Sequence, residues 1–191
     1  MVAKRHNQIP QLPRIDPEFV FKNLRLIDRA IETQRIPILQ GQPLTHQERL
    51  KAREFEDASI FCYALSCRFE RPFSILMHED SDFDFVAEWH DQGETINSPV
   101  QLKRLVPNRL NQTTNIQEVI NKLKKYKNAS NLTVAIRINR TGTFQPAELE
   151  IPKLEIGSLW VFWSTTKDQS SWRLFGDMLS GPICTSFMAP A

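Results

Sequence analysis

Glycine is scarce in this chain, with six among 191 residues, and the only cysteines are Cys62, Cys67 and Cys184. So few glycines leave no glycine-rich loop of the kind that cradles phosphates. The cysteine count and spacing match neither a disulfide framework nor a zinc site. No apolar run approaches the ~18 residues that a membrane span requires. These absences argue against phosphate-loop enzymes, disulfide-stapled domains, zinc proteins and membrane-spanning proteins.

Charge of one sign is not in excess either, because 24 lysines and arginines face 22 acids, for a formal net charge of +2. A nucleic-acid partner would therefore have to be met by a local basic patch. The histidines show no recurring partner spacing, so nucleophilic sites of the Ser/His/Asp or Cys/His type are poorly supported. The first residues lack the apolar core of a signal peptide, and we expect a reduced, cytoplasmic protein with no membrane partner.

The order of predicted elements indicates a single mixed α/β domain with an addition at its N-terminus. Asp16-Pro17 starts a first helix, and Thr45 with Glu48 forms a capping box that opens a second helix, roughly 46–68. The expected divisions are an arm, helix and connector over residues 1–44, a core domain over 45–180, and a loose tail over 181–191.

Runs of β-branched and aromatic residues predict the strands. Those runs are residues 72–77, 83–89, 100–106, 131–139, 158–165 and 172–176. A further helix is predicted from Asn115 to about Tyr126, between the third and fourth strands. Trp160, Trp163 and Trp172 could stack on bases, but their place in sheet strands favours core packing.

The most informative stretch is FDFVAEWHDQGETINSPVQLKRLVP, from Phe83 to Pro107, which predicts two strands joined by a polar turn. Because side chains alternate along a strand, Gln101 and Lys103 share one face of the second strand. Asp84, near the start of the first strand, can then lie beside this Gln-x-Lys pair. A carboxylate and a lysine on neighbouring strands can hold a divalent metal and a water beside a phosphodiester.

This pattern resembles the PD-(D/E)xK nuclease superfamily, which has the restriction-endonuclease-like fold. The family's first aspartate falls on Asp84 and its (D/E)xK motif on Gln101-Leu102-Lys103, with glutamine where the family usually has an acid. The predicted order of elements matches the α-β-β-β-α-β core of that fold over roughly residues 45–178. The resemblance implies a DNA endonuclease that uses Mg²⁺ or Mn²⁺, and it implies a homodimer as one assembly that such enzymes adopt.

The resemblance also implies a role for each residue of the site. Asp84 and Glu54 would hold the metal together with the backbone carbonyl of Leu102, Gln101 would give at most a neutral oxygen, and Lys103 would orient the nucleophile.

Competing acids keep other ligand sets open. Asp57 is the alternative to Glu54 on the same helix, and either acid could instead pair with Arg49, Lys51 or Arg53 or face solvent. The rival ligands in the acidic turn are Glu79, Asp80 and Asp82, which also suit a solvated turn.

A local basic patch surrounds the predicted helix that ends near Tyr126. Its members are Arg104, Arg109, Lys122, Lys124, Lys125 and Lys127. Within the resemblance these residues are candidate contacts to phosphates. Lysines at the C-terminal end of a helix also complement its dipole and aid solubility, and this second interpretation stays open.

Two alternatives to a working nuclease remain. The first keeps the fold without catalysis, as a nucleic-acid-binding or protein-interaction module, because Gln101 replaces an anionic metal ligand. The second is an unrelated α+β binding protein in which Asp84 and Lys103 form a structural ion pair far from Glu54.

Overall fold

The computed structural model describes residues 12–32, 45–78, 82–106, 115–139 and 145–191. Within these residues the chain is a mixed α/β fold with three α-helices and one seven-stranded sheet. The helices are α1 (Pro17–Glu32), α2 (His46–Phe69) and α3 (Ile116–Lys122). The strands are β1 (Phe73–Leu76), β2 (Phe85–Asp91), β3 (Glu94–Leu105), β4 (Ala129–Ile138), β5 (Ile156–Ser164), β6 (Ser171–Gly176) and β7 (Ile183–Met188). None of the described helices is long and apolar enough to cross a membrane.

The sheet follows the chain from β1 to β7 without changing its order. The strands β1, β2 and β3 are antiparallel neighbours, β3, β4 and β5 run parallel, and β6 and β7 return to antiparallel pairing. Gln92 and Gly93 both have positive φ and make the tight turn between β2 and β3, a conformation that glycine adopts at little cost. The connection from β3 to β4 carries α3, as is common for a crossover between parallel strands.

Alternation along the strands divides the apolar side chains between two cores. The helices α1 and α2 cover one face, where the Phe61 ring lies 5.8 Å from the Phe162 ring, centroid to centroid. The helix α3 and the turn after it cover the other face, where Ile120 and Leu123 pack with Val134. The sheet is therefore buried between helices, and its polar side chains are accessible at the ends of the strands.

Several local predictions are confirmed. The Thr45 hydroxyl accepts the Glu48 N–H at 3.2 Å, and the Glu48 carboxylate accepts the Thr45 N–H at 2.7 Å, which completes the capping box. Trp160 and Trp172 are buried in the first core, as expected for sheet residues.

One contact was not predicted. Ile15, before α1, bridges to Ile75 of β1 with hydrogen bonds of 3.0 and 2.9 Å.

Two predictions about strand ends are wrong. Residues 183–188, expected in a loose tail, form β7, which pairs with β6 and buries Phe187. The third strand begins at Glu94 rather than Val100. Its early part contains residues with little intrinsic preference for strands, but pairing with β2 holds them in the sheet.

Candidate functional site

Asp84 lies where β2 and β3 separate. The strand β2 begins at Phe85, opposite Val100, and the Asp84 N–H donates to the Val100 carbonyl at 2.9 Å. The Asp84 carboxylate then accepts the Leu102 N–H at 2.6 Å, so a side chain continues the hydrogen bonding where the ladder stops. Because the N–H and C=O of a strand residue face the same side, the Leu102 carbonyl is also directed toward Asp84. We call this separation point, with Asp84 and Leu102, the fork.

Gln101 is held between Asp84 and Tyr126. Its Nε2 donates to Asp84 Oδ2 and lies 3.4 Å from the Leu102 carbonyl oxygen. The Tyr126 hydroxyl donates to Gln101 Oε1 at 3.2 Å. These partners orient the amide with its nitrogen toward the carboxylate and its oxygen away from it. Gln101 therefore presents a hydrogen-bond donor, rather than an oxygen, to Asp84.

Glu54 on α2 and Lys103 on β3 complete the cluster at the fork. Burial raises the pKa of Glu54, the nearby charge of Asp84 raises it further, and the charges of Lys51 and Lys103 oppose both effects. Burial lowers the pKa of Lys103, while the charges of Asp84 and Glu54 act in the opposite direction. The three groups are close enough to act on one another's charge, although among the described residues Glu54 and Lys103 form no direct ion pair.

The fork offers two carboxylates and one backbone carbonyl, a small set of oxygen ligands of the kind that divalent cations accept. Glu54 and Asp84 are two carboxylates whose mutual repulsion a cation would relieve, and the Leu102 carbonyl adds a neutral oxygen of the kind that Mg²⁺ accepts. No cluster of three or more His, Cys, Asp or Glu side chains is placed to hold a metal within the described part of the chain. A metal would therefore depend on these two carboxylates, because Gln101 presents its amide nitrogen to Asp84.

Asp57, the alternative acid on α2, belongs to a different cluster, which we call the arginine network: Glu56, Asp57, Arg104 and Arg137. Arg104 donates to both oxygens of Asp57, at 2.9 and 2.6 Å, and Arg137 donates to Asp57 at 2.5 Å and to Glu56 at 2.8 Å. The side chains of Asp57 and Arg137 are 5% and 4% exposed, so the network is structural. The alternative in which Asp57 pairs with bases of its own helix or faces solvent gives way to these two partners from β3 and β4.

The residues of the basic patch differ in the contacts that they already make within the protein. Arg104 is engaged with Asp57 and Glu56, which competes with a phosphate contact. Lys127 pairs with Glu155 at 2.9 Å, and Lys125 lies over the Tyr126 ring. Lys122 and Lys124 are exposed beside them at the end of α3. Arg109 and the rival acids Glu79 and Asp80 lie outside the described residues.

Tyr126 is a site residue that the sequence reasoning missed. Its pKa is raised by burial and by the charges of Asp84 and Asp82, which brings the rival acid Asp82 near the same group. One signal could have found it. The helix between β3 and β4 must pack back onto the sheet, so a polar aromatic residue just after that helix could reach the polar face of β3.

Comparison of the chain with models of protein families, with curated proteins and with solved structures finds no match.

Proposed function

We propose that this protein is a metal-dependent endonuclease that hydrolyses phosphodiester bonds in DNA. The observation that carries the proposal is the Asp84 carboxylate held on β3 by the Leu102 N–H, between Gln101 and Lys103, with Glu54 of α2 close enough for the charge of Asp84 to raise its pKa. An unrelated α+β protein with a structural Asp84–Lys103 pair is expected to keep Glu54 away from them. The order α2, β1, β2, β3, α3, β4 also agrees with the α-β-β-β-α-β core of restriction-endonuclease-like proteins.

Each residue at the fork has a role in this proposal. Asp84, Glu54 and the Leu102 carbonyl would hold Mg²⁺ or Mn²⁺, and the bound metal would acidify a water and offset charge on the phosphate. Lys103 orients the nucleophile and stabilises the negative charge that develops on the phosphate oxygens. Burial lowers the pKa of its ammonium group, and the same burial reduces solvent screening of the charge that the protonated group carries. Lys122 and Lys124 contact the phosphates of the DNA backbone on either side of the cleaved bond.

The test combines titration calorimetry with Mn²⁺ and Mg²⁺ and a nicking assay on supercoiled plasmid. We expect the wild type to bind metal and to nick DNA, and Asp84→Ala to lose both. Lys103→Ala should keep the metal but cleave at least ~10²-fold more slowly, because it removes only charge stabilisation of the transition state. Glu94→Ala, an exposed acid at the other end of the hairpin, serves as the matched control. Cleavage retained by folded Asp84→Ala and Lys103→Ala proteins would contradict the proposal.

A second candidate keeps the same fold without catalysis, as a module that binds nucleic acid or another protein. It is favoured by the hydrogen bond from Gln101 to Asp84, since an amide donor occupies the carboxylate without any cation. Fluorescence anisotropy with a labelled DNA duplex in the presence of a chelator distinguishes the two. Tight binding that needs no metal, by a protein that never cleaves, supports the second candidate.

A further inference from the structure

A cavity of about 360 Å³ lies between the C-terminal half of α2 and the sheet, at the turn end of the β2–β3 hairpin. Its inner wall includes the fully buried side chains of Phe61 and Val100. Its rim carries Phe69, which is 42% exposed, and the ion pair of Arg71 with Asp91 at 2.6 Å. The cavity therefore opens to solvent at the opposite end of the hairpin from the fork. It contains none of the polar side chains of the candidate site, although Val100, whose carbonyl accepts the Asp84 N–H, lies in its inner wall.

The walls of the cavity are aromatic rings that brace one another. Trp160 makes edge contacts with Phe61 and Phe69, at centroid distances of 6.4 and 6.1 Å. Phe73 stacks on Trp89 at 5.1 Å and lies 6.1 Å from Phe69. Because each ring is fixed by its neighbours, the cavity is preformed, and a flat guest would lose little affinity to reorganisation.

The sheet side of the cavity carries a row of hydroxyl groups. Ser98, Thr133 and Ser158 come from β3, β4 and β5, with oxygens 2.8 and 2.9 Å apart along the row. The Trp160 indole N–H donates to Ser158 at 3.1 Å and ends the row. These four groups carry four polar hydrogens, one each, and their three mutual bonds use three of them. One hydroxyl hydrogen therefore remains for a partner outside the row, whichever way the hydroxyls turn.

We propose that this cavity binds a small, neutral, planar aromatic molecule of one or two rings that carries a hydrogen-bond acceptor. The aromatic walls favour a flat ring system, and the remaining hydroxyl hydrogen of the row can be donated to a carbonyl oxygen or a ring nitrogen of the guest. Arg71 and Asp91 neutralise each other at the rim, so no net charge selects an ion there. The volume lies near the lower end of the roughly 300–1,000 Å³ typical of small-molecule sites, which limits the guest to one or two rings.

The test uses isoquinoline and naphthalene, which have the same shape and differ by one ring nitrogen. Each is titrated into the full chain at mildly alkaline pH, where isoquinoline is neutral, and the indole N–H resonances of the tryptophans are followed by NMR. We expect saturable binding of isoquinoline that shifts the Trp160 indole signal. Naphthalene should bind about three- to tenfold more weakly, because it lacks the acceptor. Equal affinities, or no shift of the Trp160 signal, would overturn the proposal with wild-type protein alone.

Two variants that fill the cavity, each from a different strand, test whether isoquinoline binds inside it. Ser98→Leu and Ala87→Leu should each weaken isoquinoline binding at least tenfold, whereas Ser186→Leu, exposed on β7, should bind as the wild type does. A folded filling variant with unchanged affinity would overturn the assignment. Displacement of isoquinoline by an oligothymidylate would overturn it as well, since the cavity would then receive a base of a nucleic-acid strand.

Discussion

Two charged clusters share α2 and β3, and they differ in how their charges are balanced. In the arginine network two acids meet two arginines, for a formal sum of zero, at nitrogen-to-oxygen distances between 2.5 and 3.5 Å. At the fork burial and the charge of Asp84 raise the pKa of Glu54, and the nearby lysines Lys51 and Lys103 offset this only in part. Deep burial requires paired charges, whereas a partly open cluster that contains a carboxyl with a perturbed pKa is typical of sites that act on a ligand.

The largest expected effect separates the two acids of α2. Asp57→Asn should lower the free energy of unfolding by about 3–5 kcal/mol, because it leaves the buried Arg137 without its main partner. Glu54→Gln, one turn earlier on the same helix, should change it by less than about 0.5 kcal/mol. Urea denaturation of both variants measures the difference. Similar losses in the two variants would show that the fork is as structural as the arginine network.

A smaller effect is expected when a third acid is added at the fork. Without metal, Gln101→Glu should lower stability by roughly 1–3 kcal/mol, since a donor to Asp84 is replaced by a second negative charge. Mn²⁺ should restore the stability, with binding about tenfold tighter than in the wild type, equivalent to about 1.4 kcal/mol. Thermal unfolding with and without Mn²⁺ provides the measurement.

The control for this experiment is Gln101→Leu, which loses the same hydrogen bond without adding a charge. It should be destabilised with and without Mn²⁺. A Gln101→Glu variant that gains nothing from Mn²⁺ would speak against a metal site and for the binding module without catalysis.

The smallest effect is a pH dependence of stability that originates at Glu54. Because burial and Asp84 raise its pKa in the folded protein, the folded state binds this proton more readily than the unfolded state. Wild type should therefore gain stability relative to Glu54→Gln as the pH falls through the folded pKa, and the gain should be complete below the ordinary value of 4.5. Paired urea titrations between neutral and acidic pH measure the change.

The same comparison in the Asp84→Asn background tests whether the charge of Asp84 causes part of this pH dependence. There the difference between the glutamate and glutamine proteins should become smaller, because one of the charges that oppose Glu54 is gone. A difference that is independent of pH in either background would contradict this interpretation.

Local signals in the sequence predicted much of the fold. The capping box at Thr45 depends on neighbouring residues, as does the alternation that separates Gln101 and Lys103 from Leu102, and both are found in the structure. The β7 strand was missed because it is an edge strand with only one buried residue, Phe187, among its six. Such a segment lacks the alternation of apolar and polar residues on which strand prediction depends.

The electrostatic partners could not be predicted in the same way. Asp57 meets Arg104 and Arg137, which are 47 and 80 residues away along the chain, and only the assembled sheet brings them to α2. The sequence interpretation instead considered basic residues on the same helix, where spacing alone can identify a partner. The fork was predictable to the extent that it depends on one hairpin, and Tyr126 was missed because it enters from a crossover.

The hydrogen bond between the Asp84 carboxylate and the Leu102 N–H can be used to detect a cation bound at the fork. A cation that withdraws electron density from this carboxylate weakens the hydrogen bond, which changes the chemical shift of the Leu102 amide and its rate of exchange with deuterium. Because Mg²⁺ is diamagnetic, the resonance stays observable throughout a titration. One backbone signal can therefore follow occupancy of the fork in the absence of any substrate.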